Sequence, residues 1–101
     1  MPNTRPPNIT AVTATGTSAA AVPARTRPYL AIYNQSATAD TVAIAFGTTA
    51  AVVSGAGSIN LTPVNGSRSF IVWDGQDGGF VPSTAVNIIS SGSSTAVTVV
   101  E

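Results

Sequence analysis

The stretch Tyr29–Gly47, YLAIYNQSATADTVAIAFG, decides the reading of this chain. In Tyr29–Tyr33, Leu30 and Ile32 point one way while Tyr29, Ala31 and Tyr33 point the other. In Thr41–Phe46, Val42, Ile44 and Phe46 share a face, with Thr41, Ala43 and Ala45 opposite. Alternation with period two marks a strand with one buried face. Asn34–Asp40 supplies polar, turn-compatible residues between the two runs. The stretch therefore predicts a central β-hairpin with a seven-residue connection.

The same pattern recurs in short pieces along the rest of the chain. Ile9–Thr15 reads as a first strand, and Ala20–Val22 as a short one stopped by Pro23. Gly47–Ser58 is Gly- and Ser-rich and reads as a long loop, with room for a short strand at Ala51–Val53. Ile59–Thr62 alternates again before Pro63, and Asn65-Gly66 is a tight-turn dipeptide because both residues tolerate positive φ. Ser69–Trp73 is apolar on both faces, so either both faces are covered or Ile71 and Trp73 meet another subunit. Ala85–Ser90 and Thr95–Val100 read as a closing hairpin. No stretch of ten or more residues has helical periodicity with caps. The expected fold is all-β: a single small β-sandwich or jelly-roll-like domain of seven to eight short antiparallel strands over residues 9–101. Jelly-roll and immunoglobulin-like strand orders both remain open.

Met1–Asn8 carries three of the seven prolines and reads as an extended arm, either frayed or docked on a neighbour. It has no continuous apolar core of the kind a signal peptide needs. No apolar run approaches the length of a membrane span.

Composition narrows the function classes. The chain of 101 residues suits one domain. Its apolar stock is mostly Val, Ile and Ala, which favours strands and a small core. It holds four Arg, four acids, no His and no Cys, with zero net charge. The absence of a basic excess argues against phosphate-directed nucleic-acid binding. Without His or Cys, the common nucleophile–base pairs and transition-metal sites are missing. The turn Asp74–Gly79, DGQDGG, invites a calcium reading but lacks the alternating ligands and later Glu of an EF-hand loop. No cofactor is expected, and no enzyme. A near-neutral surface favours association over repulsion.

Candidate contact residues follow from chemistry. Arg25, Arg27 and Arg68 offer planar forks suited to interfaces. Ile71 and Trp73 share one face of a strand that is apolar on both sides, Phe80 is a further large aromatic, and Pro6 and Pro7 lie in the arm. Tyr29, Tyr33, Trp73 and Phe80 also suit a carbohydrate-stacking platform, although large aromatics serve cores and subunit contacts as well.

One pattern goes further. Tyr29, Leu30, Ile32, Asn34 and Ser36, followed by Val42 to Phe46-Gly47, resemble small virion proteins of tailed bacteriophages. So do Val81-Pro82-Ser83-Thr84-Ala85-Val86-Asn87 and the final Ala96–Glu101. The resemblance spans roughly residues 10–101. It implies a capsid decoration or cement protein, often trimeric, that binds the major capsid protein on the outer surface of the head. Such a protein is made in the host cytoplasm and touches neither nucleic acid nor membrane. It implies no catalytic or cofactor residue. The alternatives are a tail, baseplate or fibre-associated β module, and a host-glycan-binding domain.

Overall fold

The computed structural model describes residues 8–36, 38–63, 69–75 and 80–101. Among them are eight strands and no helix. The strands are β1 (Ile9–Ala14), β2 (Ala19–Val22), β3 (Leu30–Asn34), β4 (Val42–Phe46), β5 (Ile59–Leu61), β6 (Ser69–Trp73), β7 (Val86–Ser90) and β8 (Thr95–Val100). They form two four-stranded antiparallel sheets, ordered β1-β8-β3-β6 and β2-β7-β4-β5. Pairing is nested: β1 with β8, β2 with β7, β3 with β6 and β4 with β5. The pairs β3–β8 and β4–β7 complete the sheets.

The central stretch is built of two strands, but they do not pair with each other. β3 lies in the first sheet and β4 in the second, so the connection is an arch between sheets rather than a hairpin. The same correction applies at the end of the chain, where β7 and β8 also lie in different sheets. Each strand buries alternate residues against the same core, and that pattern does not depend on which strand is the ladder partner. Ala39 takes a left-handed backbone (φ 64°) within the first arch. The segment Ala51–Val53 is not a strand. The turn dipeptide Asn65-Gly66 lies outside the described residues.

The core lies between the inward faces. Ala14, Leu30, Ile32, Val97 and Val99 contribute from the first sheet. Val22, Val42, Ile44, Leu61, Val86 and Ile88 contribute from the second. Its largest fully buried side chains are aliphatic, Leu30, Ile32, Ile44 and Ile88, followed by valines. Phe46 and Trp73 cap this layer edge-to-face, with ring centroids 5.5 Å apart.

Each end of the layers is tied by a polar cluster. At the arch end, Asn34 is fully buried. Its amide donates to the carbonyls of Asp40 and Leu61, both at 2.8 Å, and its Oδ1 accepts from the Ser36 N–H at 2.9 Å. One side chain thus holds the first arch and reaches into β5. Asn34→Ala is expected to cost about 2 kcal/mol, because it strips buried carbonyls of a donor; urea unfolding measures it, and a change within experimental error would overturn this role. Beside it, the Ser90 and Thr95 hydroxyls meet at 2.6 Å across the second arch.

Candidate functional site

The opposite end holds the strongest ionic arrangement among the described residues. Arg25 Nε and Nη2 donate to Glu101 at 2.7 and 2.6 Å. Arg27 Nε donates to Glu101 Oε2 at 2.8 Å. The rest of the Arg27 fork is used by main-chain oxygens: Pro82 at 2.6 Å, Thr84 at 3.1 Å and Pro23 at 2.8 Å. The Arg27 and Glu101 side chains are 1 % and 2 % exposed, whereas Arg25 is 43 % exposed. Burial pushes the Glu101 carboxyl up, but the hydrogen bonds and charges of the two guanidiniums outweigh it, and it titrates below its ordinary value. Asn8 exchanges two backbone hydrogen bonds with Glu101, so this member of the expected arm extends the β1–β8 ladder. Arg27 is therefore a clamp within its own chain, and its burial does not fit the expected role as a partner contact. Only Arg25 of this pair retains an accessible surface.

The two sheets differ on their outer faces. On the second sheet, Ala43 and Ala45 point away from the core, yet both are fully buried. The chain 47–58 lies over them. Asn87, opposite Ala45, donates to the carbonyls of Gly47 at 2.9 Å and Thr49 at 2.7 Å. Asn60, opposite Ala43, accepts from the Ser54 N–H at 3.2 Å. Alanine leaves room for this close approach where a larger side chain would push the loop away.

The outer face of the first sheet is more open among the described residues. It carries Ile9, Ala11 and Thr13 on β1, Ala96, Thr98 and Val100 on β8, Tyr33 on β3, and Phe70 and Val72 on β6, whereas Ala31 of β3, on the same face, is fully buried. None of these is charged. Ile9 is 64 % exposed, Phe70 57 % and Val72 38 %. Tyr33 and Phe70 stack, with centroids 5.3 Å apart and planes inclined by 25°. Tyr29 stands beside them; burial, then the neighbouring Tyr33 phenol, raises its hydroxyl above the ordinary 10.0.

The placement of the other expected contacts is mixed. Ile71 and Trp73 face the core and pack against it, opposite Ile32 and Leu30. It is Phe70 and Val72 that face outward, so the outward side of β6 is the reverse of the one expected. Trp73 likewise leaves the expected aromatic platform, and Phe70 takes a place there that sequence reasoning missed. Phe80 is 76 % exposed, apart from the core. Pro6, Pro7 and Arg68 lie outside the described residues, as does most of the DGQDGG turn. Among the described residues, no group of three or more His, Cys, Asp or Glu side chains is placed to hold a metal. No known family model, curated protein or solved structure matches the chain.

Proposed function

We propose that this protein is a non-enzymatic structural subunit of a phage virion, a decoration or cement protein seated on the outer surface of the head. The observation that supports the reading is the uncharged outer face of the β1-β8-β3-β6 sheet, where Ile9, Phe70 and Val72 are exposed, beside a second sheet that its own loop covers. The fold is consistent with it. Two four-stranded sheets sharing one core, with strands nested from β1–β8 inward to β4–β5, support reading the fold as a sandwich of the jelly-roll type. Viral capsid and lectin domains use that architecture. The fold supports the reading by analogy alone.

Mechanically, the sandwich acts as a rigid block. Its apolar face bridges neighbouring copies of the major capsid protein, and a homo-oligomer multiplies weak contacts through effective concentration. Bridging resists outward pressure without contacting the packaged DNA. Co-sedimentation with assembled, undecorated heads tests this, with free capsid protein as control. Saturable binding to heads alone is expected; absence of binding would overturn the reading.

The Tyr33–Phe70 stack favours a second reading, a host-glycan site, because exposed aromatic faces bind the apolar faces of sugar rings. That reading expects the free protein to bind a glycan array and Phe70→Ala to abolish the signal.

A further inference from the structure

The free edge of β6 has a defined chemistry. In an antiparallel ladder the N–H and C=O of one residue point to the same side, and successive residues alternate. Gln35 N donates to Ala96 O at 2.9 Å, so Ala31, Tyr33 and Gln35 address β8. Leu30, Ile32 and Asn34 then address β6, through Trp73, Ile71 and Ser69. The N–H and C=O groups of Phe70 and Val72 therefore point off the edge of the sheet. No strand among the described residues pairs there.

The edges of the second sheet are blunted. β2 has a register shift between Ala20 and Val22 and is followed by Pro23. β5 is three residues long, with Pro63 close behind. Shortening, bulges, prolines and charges are the usual means of preventing edge-to-edge pairing. β1, the other edge of the first sheet, is regular within its own six residues but has Pro7 close before it; β6 has none of these features. Its five residues, SFIVW, stay in unbroken register with β3 and carry no charge and no proline.

We propose that β6 pairs antiparallel with β6 of a second copy, about a two-fold axis through Ile71, joining the two four-stranded sheets into one. Phe70 then lies opposite Val72 of the second copy, and each such pair exchanges two backbone hydrogen bonds. The outer-face row runs Tyr33, Phe70, then Val72 and Ala31 of the second copy, which sets large side chains beside small ones. The matching row across the axis is the same row reversed. No residue of either row is charged, so two identical strands meet without like-charge repulsion. This self-complementarity points to a second copy rather than a foreign strand, and the unit it builds is a dimer. The pairing goes beyond the capsid reading and does not depend on it.

The test is sedimentation equilibrium of the full chain from about 1 µM to about 1 mM, a range that covers weak, small interfaces. A monomer–dimer equilibrium is expected. Val72→Pro removes an N–H that points off the sheet and leaves the β3 ladder intact. It removes one hydrogen bond from each copy and should raise the dimer dissociation constant roughly thirtyfold or more. Val72→Lys, an edge-blocking charge, is the second variant and should also weaken the dimer if the proline variant does not fold. A monomer throughout the range, a trimer, or an unchanged dimer in either folded variant would overturn the proposal. Loss of head binding with the dimer intact would leave the pairing standing and count only against the capsid role.

Discussion

Replacing Glu101 by alanine is expected to destabilise the fold by about 3–5 kcal/mol, because it leaves the buried Arg27 charge without its counter-ion. The Arg27 fork is held in place by three main-chain oxygens and cannot swing out to water without breaking those bonds. Equilibrium urea unfolding measures the loss. A cost below about 1 kcal/mol, the level of a surface pair, would show that the clamp is solvated. The direction of the carboxyl shift adds a pH signature. Glu101 in the fold titrates below its ordinary value of 4.5. A depressed folded-state value contributes stability that is complete above 4.5 and is lost as pH falls below it toward the folded value. The stability gap between the wild type and Glu101→Gln should therefore stay level from about pH 7 down to that region and narrow below it. A gap that stays level at about pH 2 would contradict the assignment.

Ile44→Ala is expected to cost about 2–5 kcal/mol, the range for deleting a buried aliphatic side chain. Ile44 is fully buried in β4, between β7 and β5, and packs in the shared core. Two features place it toward the upper part of that range. The core is built mostly of Val and Ile, whose branched side chains have few rotamers with which to fill a void. Both flanking strands are hydrogen-bonded to β4 and cannot close in. A domain of this size is stable by about 5–15 kcal/mol, so the melting temperature should fall by about 10–30 °C. Ile44→Val, which removes one methylene, should cost about 0.5–1.5 kcal/mol. Equal losses for the two variants would show that cavity formation is not the cause.

Strand positions were readable from the sequence because alternation records burial directly. Leu30, Ile32, Val42 and Ile44 all lie in the core, as their period of two predicts. Partner choice was not readable. A hairpin and an arch both present two alternating strands joined by polar residues, and local pattern contains nothing about which sheet the second strand joins. The length of the Asn34–Asp40 connection was the available hint, since tight hairpins close in two to five residues. Ser69–Trp73 was ambiguous for another reason: apolar on both faces, it offers no contrast from which to choose the inner one, and only its register with Leu30 and Ile32 decides. Arg27 was misleading because charge predicts exposure, whereas the Glu101 carboxylate and the Pro82 and Thr84 carbonyls, all distant in sequence, converge on it together with the nearby Pro23 carbonyl. The two alanines beneath the loop gave no signal, since a small apolar residue on an alternating strand looks the same whether bare or covered.

The nested pairing also governs how the chain reaches its folded state. β4–β5 is the most local of the four nested pairs, while the outermost joins Ile9 to Val100. Contacts this distant in sequence incur loop-closure entropy before they gain any stability, which places such topologies among slow, millisecond-to-second folders. The pairing should close from β4–β5 outward, so the sheet containing β6 is finished only when β8 arrives between β1 and β3. On the ribosome, which adds about 5–20 residues each second, β3 and β6 wait for that strand with their edges open. The time during which a nascent chain is most prone to join a neighbour is thus set by the synthesis of β8.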